Sequence, residues 1–431
     1  MPELLLIGVG RMGRPYVRAA RRLGLRVQAV ETVAGAGELA ADVDRVQVCA
    51  GRLDEHWAAA AAAAAADRPP DGVLAFSEPQ VMAAALLQDA GRLPGPGLHA
   101  AVLSRNKALQ RGTFAAAGIS QPEHLLTVDL ASAAGWATGR LPVVVKPLSS
   151  SGSAGVELVT TTAGLRDAAR RRGGHPLLVE AAAVGPEYSW EALVLDGKVW
   201  FANVTGKETT GPPHFVEVSH RTAVELTQET SAQVDRFAAG VLRALRMRTG
   251  MVHLEFRLTA SGPCLIEVAV RTPGDFLMDL LCLTYDVDWF ELAVRAAMSL
   301  PLPAPPDGPV RYAASFLPSA EPGVVTRIAG RPEVLAHPAV VDAALLVAEG
   351  DVVAPLTSSG ARIGHVLLAA ATPRDVEAAL ADVRGALVVA VGPEPAAAPR
   401  PGGDLGRSTY PRVPGAAPLD AGRLPVGGSG R

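Results

Sequence analysis

Residues 251–271, MVHLEFRLTASGPCLIEVAVR, constrain the fold most. Two apolar runs flank a turn at 260–263, which predicts two adjacent strands. Each strand carries one carboxylate, Glu255 in VHLEFRL and Glu267 in CLIEVAVR. Antiparallel pairing would set these acids side by side, and like charges in apolar surroundings need a cation. Mg²⁺ is commonly held that way, by oxygens from one or two carboxylates together with nucleotide phosphates. Arg271, four residues after Glu267, is placed to meet a phosphate or an anionic intermediate. The competing reading is a surface salt-bridge ladder on the polar face of a hairpin, which the apolar flanks disfavour.

A chain of 431 residues exceeds one ordinary core and should divide into domains. ELLLIGV at 3–9 predicts a strand running into a glycine-rich turn, then a helix, then the strand RVQAVE, and GVLAFS at 72–77 adds another. An α/β sheet with alternating helices is therefore expected over 1–100. From Ser104, RNKALQRGTFAAAGI predicts a helix closed by Gly118. The polar SSSGSAG at 149–155 lies between VVVKP and VELV, so a hairpin with a mobile loop is expected there. PLLVEAA at 176–182 is a buried strand, 188–206 a hairpin turning at Asp196 and Gly197, and 231–246 an amphipathic helix. With the strands of 251–271, these predict a second α/β region over 101–300. The proline-rich 300–309 is a linker into a small α/β domain over 301–392. From 393 to 431 the chain has few large apolar groups and is expected to be disordered.

The charges exclude some functions. Forty basic and 43 acidic residues nearly cancel and form no basic stripe, so no nucleic-acid partner is expected. Cys49, Cys264 and Cys282 lack CxxC spacing, which argues against a disulfide framework or a structural zinc. The longest alanine run, 58–66, is far below membrane-spanning length, and the N-terminus lacks a secretory pattern. No membrane partner and a cytoplasmic location are expected.

Three further constellations carry chemistry. Gly8-x-Gly10-x-x-Gly13, with Glu31 eighteen residues later, matches a dinucleotide-binding turn and by itself would support an NAD-dependent oxidoreductase. Any tight strand-to-helix turn also wants glycines. Lys107 and Lys146 form the next signal. A lysine ending a buried strand needs a counter-charge, and phosphate is a natural one, with 149–155 able to offer backbone N–H groups over it. Glu180, ending PLLVE, and Glu187, seven residues on, could contact an adenine amine and ribose hydroxyls.

In this order the motifs resemble the ATP-grasp superfamily, and more closely its carboxylate-amine ligases, including the bacterial L-amino acid ligases that make dipeptides. The resemblance covers about residues 1–390. It implies a multi-domain α/β (α+β) protein with an N-terminal Rossmann-like pre-ATP-grasp domain, two nucleotide-clamping lobes and a small C-terminal domain. It implies that Lys107 and Lys146 bind phosphate and that Ser149, Ser150, Ser151, Gly152 and Ser153 cover it. The adenine hinge becomes 180–184, with Glu180, Ala182 and Val184, and Glu187 becomes the ribose ligand. Glu255 and Glu267 become metal ligands, and Arg271 stabilises an acyl-phosphate or tetrahedral intermediate. FVEVSH at 215–220 resembles the substrate side, making Glu217 and His220 contacts to an amino acid and His220 a candidate base. ATP with Mg²⁺, or Mn²⁺ in its place, is the implied cofactor set. Small-molecule carboxylates and amines, above all amino acids, are the implied partners, and a homodimer is compatible with them. The implied product is a dipeptide or γ-glutamyl amide. Many members carry Asn two residues after the second metal carboxylate, where this chain has Ala269. That substitution keeps a non-catalytic nucleotide-binding protein as an alternative, beside an oxidoreductase and a carboxylase of the same superfamily.

Overall fold

The computed structural model describes residues 1–10, 12–172 and 175–393, so 394–431 of the expected tail lie outside the described residues. The opening strand Glu3–Ile7 is buried along its whole length. It pairs in parallel with Arg26–Thr32 and Gly72–Ala75, and Arg26–Thr32 pairs in parallel with Arg45–Cys49. Parallel strands need crossover helices on both faces, which explains their continuous apolar runs. One face is covered by the alanine helix Asp54–Asp67, whose Trp57, Ala61 and Ala64 pack with Leu5 and Ile7. Leu4 and Leu6 share a core with Trp289, Leu292 and Val294, so the helix Trp289–Ala297 folds back onto the N-terminal sheet.

A second sheet is antiparallel and runs in the order His124–Thr127, Leu177–Ala181, Val143–Pro147, Glu157–Val159. Val143, Val145 and Val179 lie in its core. The period-2 alternation of a strand therefore sends Val144, Lys146 and Glu180 to the opposite face. The 149–155 segment joins Val143–Pro147 to Glu157–Val159, as the sequence predicts.

The third sheet has eight strands, in the order Gly262–Ala269, Gly250–Thr259, Glu187–Leu195, Lys198–Thr209, Glu217–Arg221, Tyr312–Phe316, Gly364–Ala370, Val340–Leu345. Asp196 and Gly197 both take positive φ, 48° and 75°, which a tight two-residue hairpin requires. The last three strands lie beyond the proline-rich segment, and Glu217–Arg221 pairs with Tyr312–Phe316. The C-terminal segment thus covers a strand edge that would otherwise expose its backbone groups. The helix expected from Ser104 begins at Lys107 instead. Asn106 caps it, accepting from the Ala108 and Leu109 amides at 3.0 and 3.1 Å, while Ser104 ends the preceding helix Leu98–Ser104.

Candidate active site

A cleft of about 870 Å³ is lined by strands of the second and third sheets and by the segments that follow strands Glu3–Ile7 and Gly72–Ala75 of the first. Sheet register explains which side chains reach it. Lys207, Glu187 and Arg257 form one cross-strand row, Thr205, Ser189, Glu255 and Glu267 the next, and Asn203, Glu191, His253 and Ala269 a third. Glu255 and Glu267 are direct partners across the hairpin. They do not form an exposed ladder. Burial pushes the Glu255 carboxyl up, but Lys207 and His253 outweigh it and hold the group well below the usual carboxylate range.

Lys107 and Lys146 both line the cleft. The Lys107 ammonium lies 2.8 Å from Glu267 Oε1 and donates to the Ser150 carbonyl at 2.8 Å. Lys146 lies 2.6 Å from Glu180 Oε2, while Arg111 reaches Glu180 Oε1 at 2.5 Å. Burial depresses the Lys146 pKa, with Glu180 opposing it; Glu180 is held low by Lys146 and Arg111 against the upward push of burial. Glu180 is thus a buried counter-ion for two cations. Ser150, Ser151, Gly152, Ser153, Ala182 and Glu187 line the cleft, whereas Ser149 is exposed outside it and Val184 is 78% exposed. The segment 149–155 is tied down: Ser153 Oγ donates to the Phe215 carbonyl at 3.1 Å, and the Gly152 carbonyl accepts from the Ser359 amide at 2.9 Å.

On the strand Glu217–Arg221, Glu217 accepts from Lys207 Nζ and from Ser359 Oγ, both at 3.1 Å. His220 lies with Nε2 3.4 Å from Asp275, a carboxylate that Arg362 grips through both terminal nitrogens. Arg271 does not point freely into the cleft. Its Nε donates to Glu78 at 2.7 Å, and Arg105 binds the other Glu78 oxygen at 3.3 Å.

Four residues at the site had escaped the sequence reading. Lys207, 1% exposed in its side chain, lies 2.5, 3.1 and 3.7 Å from Glu255, Glu217 and Glu187, and these carboxylates raise its pKa well above the usual value against burial. His253 bridges Glu191 at 3.0 Å and Glu255 at 3.1 Å. Burial lowers its pKa, but the two acids lift it to about 9. Arg111 is the third. Arg257 is the fourth, bonded to Glu187 at 2.9 and 3.2 Å and stacked 5.0 Å over Phe215. The signal was the alternation of 187–191 and 203–207, which puts Glu187, Glu191 and Lys207 on one face.

The glycine turn is different. The Gly10 amide donates to Glu31 Oε2 at 2.7 Å and the Thr32 amide to Oε1 at 2.7 Å, and Glu31 is 5% exposed and does not line the cleft. The acid that a dinucleotide would need for its ribose is engaged by the turn itself, which removes the observation behind the oxidoreductase alternative.

Residues 139–279 match the ATP-grasp domain family, and 315–392 match the L-amino acid ligase C-terminal domain 2. The chain carries an ATP-grasp domain over 139–279. Among curated proteins, it is 31% identical over 64% of its length to an uncharacterised protein of Sinorhizobium fredii. It is 28% identical over 70% of its length to carnosine synthase 1 of Gallus gallus. It spans 59% and 36%, respectively, of those two relatives. A formate-dependent phosphoribosylglycinamide formyltransferase of Prochlorococcus marinus is 29% identical over 70% of the chain and 77% of the relative. The crystal structure of an L-amino acid ligase from Bacillus licheniformis shares the fold, with a TM-score of 0.76 at 24% identity over 91% of this chain and 99% of that one. A Hydrogenobacter thermophilus biotin carboxylase domain, solved with MgADP and bicarbonate, superposes with a TM-score of 0.66 at 15% identity over 90% of each chain. Among the described residues, no helix is long and apolar enough to cross a membrane.

Proposed function

We propose that the protein is an ATP-dependent carboxylate-amine ligase that joins two amino acids in the cytoplasm. The observation carrying this reading is the placement of Lys107, Lys146, Glu255, Glu267 and Arg271 around one cleft, from strands and helices far apart in sequence. Among the described residues no cluster of three or more His, Cys, Asp or Glu could hold a metal alone. The contacts of Lys207 and His253 fall on Oε1 of Glu255, and that of Lys107 on Oε1 of Glu267. One oxygen of each carboxylate is thereby left for a cation, a donor set that suits Mg²⁺ completed by nucleotide phosphates better than a dedicated cage. When bound, that cation would neutralise phosphate charge during transfer.

The residues of the chain do the rest. Lys107 and Lys146 bind the phosphates, with 150–153 above them, and Ala181, Ala182 and Val144 offer an apolar slot to the base. A substrate carboxylate oxygen attacks the γ-phosphorus and ADP leaves, giving an acyl phosphate. The second substrate's amine nitrogen then attacks the acyl carbon, phosphate leaves, and the amine proton passes to a base. His220, oriented by Asp275, is our candidate for that base, and Glu217 for a substrate contact. Arg271, fixed by Glu78, faces the anionic intermediate. Catalysis then rests on positioning and charge neutralisation.

The test is incubation with ATP, Mg²⁺ and pooled amino acids, followed by assay of ADP and phosphate and mass spectrometry for a new amide. Amide formation equal to ADP release is expected. ATP consumption without any amide, or NAD reduction in its place, would overturn the reading.

A further inference from the structure

One end of the cleft is built unlike the rest. Tyr16 stacks on Phe76 with ring centroids 4.7 Å apart and 14° between planes, and meets Phe290 edge-on at 5.0 Å. All three rings line the cleft, with Met12 and Met278 beside them. Offset stacking and edge contacts of this kind hold rings in fixed relative positions. The trio is also held in register with the chemistry. The Tyr16 hydroxyl donates to Thr272 Oγ1 at 2.8 Å, Thr272 follows Arg271 in the chain, and Thr272 Oγ1 reaches the Phe76 carbonyl at 3.4 Å.

The charged groups that line this end are acidic or already paired, and the exposed Arg18, whose charge reaches Asp279, does not line the cleft. Glu78 is bound by Arg271 and Arg105. Asp279, whose charge acts on the Tyr16 hydroxyl, lines the same wall, and Asp342 pairs with His365 at 2.9 Å. An acidic side chain entering here would meet like charges, with both nearby guanidinium groups engaged by Glu78. An apolar side chain would exchange water for aromatic and thioether surface, the larger and less specific gain.

We propose that Tyr16, Phe76 and Phe290 form a side-chain subsite for a bulky apolar amino acid, one that rejects acidic side chains. This rests on the ligase reading and sharpens it, because it disfavours a glutamyl group at this end. The subsite is built from the helix Arg14–Arg22, the residue after strand Gly72–Ala75 and the helix Trp289–Ala297, outside the lobes that would hold the nucleotide.

The experiment uses the full chain. Binding of leucine, phenylalanine, glycine, glutamate and lysine is measured by calorimetry with Mg²⁺ and a non-hydrolysable ATP analogue, and amide formation is measured with the same amino acids and ATP. Leucine and phenylalanine should exceed glycine in kcat/KM by roughly 10- to 200-fold, the range a hydrophobic pocket discriminates, with glutamate at or below glycine. In Phe290→Ala the leucine-to-glycine ratio should fall about tenfold, and Phe290→Leu should restore most of it. Binding of the ATP analogue by each variant verifies folding. A preference for glycine, glutamate or lysine would overturn the subsite, as would an unchanged ratio in Phe290→Ala, which is what plain core packing predicts. Failure of every apolar amino acid to bind overturns it equally. Apolar binding without any amide product sinks the ligase reading and leaves the subsite standing.

Discussion

The turn 8–13 and the segment 149–155 are both glycine-rich, both follow a buried strand, and both contribute residues to one cleft. Their partners differ. At the first, a Cβ on Gly8 would come within 2.5 Å of Gln80 and one on Gly13 within 2.3 Å of the Val9 carbonyl, and the amide of Gly10 is already bound to Glu31. These glycines let a strand, a turn and a helix pack closely. At the second, three serines precede Gly152 and one follows it, Lys146 lies in the strand before the segment while Lys107 donates to the Ser150 carbonyl, and the attachment is to the C-terminal segment through Ser359. Glycine content alone does not distinguish the two; the cations beside the second do.

The largest test of this contrast is to remove a charge at each loop. Lys146→Met or Glu267→Gln should cost about 10²- to 10³-fold in kcat, the range seen when one preorganised electrostatic partner is lost. Glu31→Ala should leave kcat/KM for ATP within a few-fold and instead lower stability by about 1–3 kcal/mol, since the Gly10 and Thr32 amides lose their acceptor. Equal activity losses in steady-state assays would erase the distinction. Gly8→Val comes next. With φ at +75° and Gln80 in the way, it should destabilise by about 1–3 kcal/mol in urea unfolding, without a change in the KM for ATP. Gly152→Ala should do the reverse. Its φ is +61° and a Cβ would lie 3.1 Å from that of Ser359. At about 1–2 kcal/mol for a left-handed residue, the KM for ATP should rise roughly 5- to 30-fold with little movement of the urea midpoint.

The two loops also mark how far the sequence could be read. Strand and hairpin positions were legible because apolar alternation and the Asp196-Gly197 turn are local, whereas the Glu255 to Glu267 partnership needed, besides the short turn, the register shift between Glu255 and Phe256, without which Glu255 would face Ile266. Arg111, Lys207 and His253 were not, because each acquires its meaning from strands tens of residues away: Arg111 from Glu180, Lys207 from Glu187 and Glu255, His253 from Glu191. Glu180 was read as an adenine contact at a strand end; it lines the cleft, and its buried pairing with two cations depends on a helix and a strand meeting. Ser149 and Val184 are exposed and lie outside the cleft lining. A motif copied residue by residue includes positions that the local backbone turns to solvent.

The smallest expected effect concerns Ser359, which no motif singled out. Its amide holds the Gly152 carbonyl and its hydroxyl donates to Glu217, so one residue of the C-terminal segment touches both the 149–155 segment and the strand Glu217–Arg221. Ser359→Ala removes only the hydroxyl bond, and a single hydrogen bond of this kind contributes about 0.5–1.5 kcal/mol net. The KM for ATP or for the amino acid should therefore rise by about 2- to 10-fold. Which of the two rises is informative. An effect on ATP means that Glu217 transmits to the loop through Ser359, whereas an effect confined to the amino acid means that the backbone bond to Gly152 fixes the loop alone. If neither constant moves in steady-state assays, the C-terminal attachment is packing, and the contrast between the loops reduces to their charges.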